Sequence, residues 1–164
     1  LVTTNGRLLQ SVSAALGSRT SDVEETFITA PNAPPPLDCP LRPQDAMASS
    51  DNLMAQFERR IAMKDDEAGK EWMWIRPTTQ TPMSAGLISL VSDFFLGAHS
   101  KTHRGTSLDN TVRIFNRPQT EWILCCTQMS GFKHGVAHGV QHHFSEDGAL
   151  IATSSQTGLL PRHA

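Results

Sequence analysis

Hydrophobic and polar positions alternate with period two along most of the second half of this chain, and they do so in short runs separated by turn residues. The run "DNLMAQFERRIAM" (51–63) sets Leu53, Ala55 and Phe57 against Met54, Gln56 and Glu58, and "EWMWIRP" (71–77) is rich in residues that fill a pleated surface. The charged stretch from Asp65 to Lys70 joins these two expected strands. A change of period follows, with Met83, Leu87, Leu90, Val91, Phe94 and Phe95 recurring at the spacing of one helix face. Thr81 is placed to cap this helix, Pro82 suits its first turn and Gly97 is placed to end it. Four more strands are expected at "LDNTVRIF" (108–115), "EWILCCTQM" (121–129), "GVAHGVQHHF" (135–144) and "ALIATSSQTGLL" (149–160), linked by turns such as "FNRPQ" and "EDG". Two strands, a helix and four strands pack most simply as one antiparallel sheet wrapped around a central helix, an α+β fold.

The first half of the chain reads differently. Residues 1–17 contain an Asn-Gly turn and a strand-like pattern, whereas the span from Ser18 to about Ser50 is polar and interrupted by Pro31, Pro34, Pro35, Pro36, Pro40 and Pro43. The proline-rich span is therefore expected to be a linker. The opening segment also echoes the final strand. With Gly6 set over Gly148, Leu8 falls over Leu150, Leu9 over Ile151, Ser11 over Thr153 and Ser13 over Ser155, but Ala14 falls over Gln156.

Composition narrows the partners. With 14 basic and 16 acidic residues, a net charge of −2, the chain has no broad field to attract nucleic acid. It also lacks an apolar run long enough to span a membrane. Cys39, Cys125 and Cys126 are odd in number and badly spaced for a disulfide framework or a zinc ribbon, so reduced thiols in an intracellular chain are expected. Cytoplasm and peroxisome both remain open, because the C-terminal Arg-His-Ala is too far from Ser-Lys-Leu to choose between them.

Candidate chemistry is sparse. Asp93 sits at the end of the helix, the wrong end for a negative charge, among apolar neighbours. It is either a solvated residue at the edge of the apolar face or part of a site. Ser107 opens a strand, and Gln156 is the lone amide among the small hydroxyls of the last one. A carboxylate, a hydroxyl and an amide together are able to hold one water and take its proton. His134, His138, His142 and His143 suggest a metal, but on a strand four residues span about 13 Å, too far for one ion to bridge. No metal and no cofactor are expected; the histidines are expected along one strand face, giving it a pH-sensitive charge. Trp72, Trp74 and Trp122 read as sheet packing. Arg59, Arg60, Lys101, His103 and Arg104 read as solvated charge, the last three being also able to face an anionic ligand. Walker, dinucleotide-binding and Gly-x-Ser-x-Gly motifs are absent from the sequence.

The ordered motifs from "LISLVSDFFLG" through "TSLDNTVRIFNRPQTEW" to "SEDGALIATSSQTGLLP" resemble the C-terminal half of the acyl-CoA thioesterase II family, the double hot-dog enzymes. The matching positions are Ser92-Asp93 at the helix end, Ser107-Leu108-Asp109, Phe115 with Arg117, Pro118, Glu121 and Trp122, and finally Asp147-Gly148 with Gln156 and Gly158. The resemblance implies hydrolysis of fatty acyl-CoA to fatty acid and coenzyme A, with Asp93 as base and Ser107 and Gln156 orienting the water. It also implies residues 1–17 as the residual last strand of an incomplete N-terminal hot-dog, 18–50 as linker and 51–164 as the C-terminal hot-dog domain. A homo-oligomer, or pairing with another hot-dog half, follows as the expected assembly. Asn110 departs from the family's common His, and His134 and His138 depart from its Arg-Gly-x-x-Arg-Gly stretch. A non-catalytic hot-dog module that binds acyl groups or only assembles with a partner is the alternative reading.

Overall fold

The structure, a computed structural model, describes residues 2–17, 20–43 and 52–161. Residues 44–51, where the expected linker ends and the first expected strand of the sheet begins, lie outside the described residues, as does the C-terminal Arg-His-Ala.

The opening segment is a small hairpin, β1 (Val2–Thr4) pairing antiparallel with β2 (Arg7–Gln10). Its turn is Asn5-Gly6, both at positive φ (51° and 74°), the geometry that matches the twist of two tightly joined strands. The strand signal of residues 1–17 thus resolves into two short strands, and residues 11–17 have no regular structure.

The main sheet comprises β3 (Phe57–Asp65), β4 (Lys70–Pro77), β5 (Thr106–Ile114), β6 (Ile123–Lys133), β7 (Val136–Phe144) and β8 (Leu150–Leu159). All neighbours are antiparallel, in the order β3-β4-β6-β7-β8-β5. The chain passes from β4 to the far edge strand β5 by way of helix α1 (Ala85–Val91), which packs on one face of the sheet. The single antiparallel sheet with one central helix expected from the alternation is therefore the observed α+β architecture. Leu53–Gln56, expected to begin the first strand, instead forms one turn of 3-10 helix, capped by the Asn52 side chain.

The helix is shorter than its apolar spacing suggests. Ser84, not Thr81, caps it, its Oγ accepting from the Leu87 N–H at 3.1 Å. The helix ends at Ser92, where the hydroxyl turns back to donate to the Ser89 carbonyl at 2.7 Å, and the backbone tightens into i to i−3 bonds from Asp93 and Phe94. Gly97 lies in a separate 3-10 turn (Leu96–Ala98). Phe94 and Phe95 are buried from the turns beyond the helix.

Two apolar layers result. Met73, Ile75, Ile123 and Cys125 of the sheet meet Leu87, Ile88 and Val91 of α1 on one face. On the other face Trp74, Trp122, Leu124 and Phe144 pack with Cys39, the tryptophans acting as the sheet packing that the sequence suggests. Burying each of the Leu, Ile, Val, Met and Phe side chains among them contributes about 1.5–3 kcal/mol. Part of the proline-rich stretch belongs to this second layer: Trp74 Nε1 donates to the Pro34 carbonyl at 2.9 Å, Ala30 and Ala33 pack nearby, and Leu41 bridges to Arg60 at the sheet edge.

Two expectations about charge are corrected. Arg59 is buried, with its guanidinium 5.0 Å from the centre of the Phe94 ring, and Arg60 is tied to Glu58 at 2.6 Å and to the Cys39 carbonyl at 2.8 Å. Neither is solvated surface charge, because the edge strand β3 is covered by residues 40–42 on one side and by Phe94 on the other. The histidines do not share one face. His138 is exposed and His142 partly so on one side of β7, His143 is fully buried on the other, and His134 sits in the β6–β7 turn at φ 53°.

Candidate active site

Asp93, Ser107 and Gln156 come from the turn after α1, the start of β5 and the middle of β8, and the fold brings their side chains into one cluster. Ser107 Oγ donates to Asp93 Oδ1 at 3.2 Å. Gln156 Nε2 donates to Asp93 Oδ1 and also to Ser107 Oγ at 3.0 Å. Both bonds to the carboxylate end on Oδ1, so Oδ2 has no partner among the described residues. The Gln156 side chain is sealed in, whereas Asp93 and Ser107 lie exposed at the surface.

The register of β5 explains how Ser107 reaches this cluster. Ser107 stands opposite Gly158, but Asp109 stands opposite Thr157, so Leu108 is an extra residue, a bulge. Beyond it Asn110 faces Gln156 and Val112 faces Ser154. In an uninterrupted strand Ser107 and Asn110, three residues apart, point to opposite faces. The bulge puts both on the face that carries Gln156.

Asn110, which the sequence marks only as a departure from the family's common His, is bound to the frame of the cluster. Its Nδ2 donates to Ser92 Oγ at 2.8 Å, on the residue just before Asp93. Two glycines seat the turn that follows. A Cβ on Gly139, opposite Gln156 in β7, would lie 2.8 Å from the Phe95 ring, and one on Gly158 would lie 2.4 Å from Leu96 Cδ2. Only glycine lets residues 94–96 press this closely on the sheet.

The sheet face that carries Gln156 also holds a buried polar chain that strand alternation by itself does not distinguish from core. Gln141 Nε2 donates to Thr127 Oγ1 at 2.8 Å, and Ser154 Oγ donates to Gln141 Oε1 at 3.2 Å. Since that hydroxyl proton is committed to Gln141, the 3.0 Å contact with His143 Nε2 makes the ring nitrogen the donor. His143 Nδ1 is then left to accept from the Cys125 thiol at 3.3 Å. Burial, aided by the charge of neighbouring His142, pushes the His143 pKa down to about 3, and burial pushes the Cys125 thiol well above its ordinary value. Both groups are neutral scaffold, not an activated thiolate and imidazolium.

An open apolar groove of about 420 Å³ runs along α1, lined among others by Leu53, Phe57, Pro77, Leu87 and Leu90. Leu90 is three residues before Asp93, but Asp93, Ser107 and Gln156 are not among the residues that line this groove. A larger recess of about 590 Å³, lined by Asp66, His99, Lys101 and Phe132, includes none of the three clustered residues. Of the basic residues, Lys101 faces this recess, its ammonium 5.9 Å from the Phe132 ring centre. No set of three His, Cys, Asp or Glu side chains among the described residues is arranged to hold a metal ion. No helix among them is long and apolar enough to cross a membrane.

The family described as acyl-CoA thioesterase C-terminal domain matches residues 36–160. The chain belongs to this family. Its structure is similar to that of a protein assigned as a thioesterase in Novosphingobium aromaticivorans, with TM-score 0.79 and 29% identity, over 90% of this chain and 60% of that one. A hot-dog protein from Alicyclobacillus acidocaldarius gives TM-score 0.74 and 21% identity over 89% and 60% of the two chains. An acyl-CoA thioesterase II from Mycobacterium marinum gives 0.68 and 22% over 88% and 60%. The fold of this thioesterase-family chain is therefore the hot-dog, and the chain spans about 60% of the length of these structures. Compared by sequence with curated proteins, it matches none. The family match begins at Pro36, inside the proline-rich stretch, close to where the chain starts to pack on the sheet.

Proposed function

We propose that the Asp93, Ser107 and Gln156 cluster hydrolyses the thioester of a fatty acyl-CoA. The observation that carries this reading is the division of labour on one carboxylate: Oδ1 is held by the hydroxyl and the amide, while Oδ2 has no partner among the described residues and Asp93 is exposed. A water at Oδ2 gives up a proton to Asp93 as it adds to the thioester carbonyl carbon. Collapse of the tetrahedral adduct breaks the C–S bond, and the proton passes from Asp93 to the departing sulfur, giving fatty acid and coenzyme A. The groove past Leu90 offers an apolar bed for the acyl tail.

One observation favours a second reading, that of a module which acts only with a partner. Asp93 and Ser107 are exposed, and β5, the strand that supplies Ser107, is a sheet edge with no further strand beside it among the described residues, along which Leu108 is exposed. Pairing with a second hot-dog half, in another copy of this chain or in a partner, would cover that edge and enclose the site.

Free thiol release from acyl-CoA of several chain lengths tests both readings. Asp93→Asn and Gln156→Ala are each expected to lower kcat by about 10²–10³, the loss that follows removal of a preorganised polar group. Equal rates in all three proteins would overturn the catalytic reading. Activity that appears only in a dimer fraction would favour the second.

A further inference from the structure

We infer that Asn110 is a positioning residue for the Asp93 base, acting through Ser92. This rests on the proposed function, and it concerns a residue that never touches the carboxylate.

Three observations converge on it. Asn110 lies directly opposite Gln156 in the β5–β8 ladder, so it stands at the level of the site and not at a distance from it. Although Asn110 is exposed on the edge strand, its side chain turns to the helix and donates to Ser92 Oγ. Ser92 Oγ in turn spends its own proton on the Ser89 carbonyl, which closes the last turn of α1. The hydroxyl thus accepts from the sheet and donates its one proton to the helix, and it ties the backbone at the residue from which Asp93 departs.

That bond matters because the backbone bonds at the start of the turn are long, although the side chains beyond it are tightly seated. The Asp93 and Phe94 amides reach Leu90 and Val91 only through i to i−3 bonds of 3.2 Å each, and Asp93 is exposed. Below the turn, Phe95 and Leu96 are seated on the two glycines. Asn110 supplies the lateral tie on the open side, next to the edge of the sheet. The bulge at Leu108 is what aims it there, since without the extra residue Ser107 and Asn110 could not both face α1. The same irregularity thus delivers one residue to the carboxylate and a second to the backbone that carries it.

The test is a double-mutant cycle on the full chain with Asn110→Ala, Ser92→Ala and the pair, read by thiol release and by amide hydrogen exchange. Loss of the tie should lower kcat by roughly tenfold, short of the ~10²-fold cost of a 1 Å misplacement, with KM nearly unchanged. If Asn110 acts through Ser92, the double variant falls no further than Ser92→Ala, which also loses the bond to the Ser89 carbonyl. Exchange should quicken at Asp93, Phe94 and Phe95, while the midpoint of denaturant unfolding stays near that of the parent. Additive losses in the cycle, or a lower unfolding midpoint with kcat and local exchange unchanged, would overturn the inference. The two ideas separate cleanly: a fully active Asp93→Asn protein removes the proposed function, whereas unchanged exchange at 93–95 in Asn110→Ala removes the positioning role. Should the parent show no turnover, exchange alone decides.

Discussion

Gln156 and Asn110 face each other across the β5–β8 ladder and hold consecutive residues of the same turn, Gln156 bonding Asp93 and Asn110 bonding Ser92. The site is thus gripped from a pair of strands at one level of the sheet. Several other features of the fold bear on how firmly that grip is kept.

Gly139→Ala is expected to destabilise the protein by about 1–3 kcal/mol. The added Cβ would lie 2.5 Å from the Gln128 carbonyl oxygen, which is backbone and cannot swing aside, and 2.8 Å from the Phe95 ring. Urea unfolding measures the loss, and an unchanged midpoint would contradict the tight seat described for Phe95. Displacement of Phe95 should also slow thiol release, because it lies two residues beyond Asp93.

Acid should weaken the fold through His143. Its pKa is pushed down to about 3 by burial, with the neighbouring His142 adding to the effect. An unfolded chain binds that proton near the ordinary value of about 6.5, so between these limits the unfolded state holds more protons and stability falls as pH is lowered. The contribution is fully present above about pH 6.5 and declines by up to ~1.4 kcal/mol per pH unit below it. His142, also lowered by burial, acts in the same direction. His143→Gln should therefore lose less stability than the parent between pH 6.5 and 4.5 in denaturant titrations. Equal losses would show that His143 is not buried and neutral.

Arg42→Ala is expected to cost about 3 kcal/mol. The guanidinium lies 3.0 Å from Glu71 and 2.5 Å from the Gly97 carbonyl, and Glu71 is 1% exposed. Lys64, 3.3 Å from the other carboxylate oxygen, remains and keeps the loss near the lower end for a broken buried pair. Adding Glu71→Gln should recover part of it, since a buried carboxylate left with Lys64 alone is replaced by a neutral amide. A double variant less stable than Arg42→Ala would refute this account.

Trp74→Phe should release the proline-rich stretch without unfolding the sheet. It removes the 2.9 Å bond to the Pro34 carbonyl, a loss of about 1 kcal/mol, and keeps most of the apolar ring. Limited proteolysis between residues 20 and 35 reads the change. Cleavage no faster than in the parent would mean that the bond does not hold the segment.

The strands of the sheet were legible because each carries its own signal: period-two alternation and turn residues are local, and β4, β7 and β8 fall within a residue or so of their expected bounds. The helix was legible in kind but not in length. Phe94 and Phe95 keep the apolar spacing of a helix although they lie in turns, since burial selects the same residues whatever the backbone does. Arg59 shows the complementary effect: a charge looks solvated in the sequence until the elements that cover it are known.

The sequence by itself determined the element order, the antiparallel α+β architecture and the three residues worth watching, through periodicity and ordered motifs that need no knowledge of distant contacts. Only the tertiary structure decided that Asp93, Ser107 and Gln156 meet, that the hydroxyl and the amide share Oδ1, and that Asn110 joins them from the side. The physical reason lies at Leu108. Which way a strand residue points is set by its register with the neighbouring strand, and one extra residue opposite Gly158 reverses the alternation that the β5 sequence, read alone, would predict.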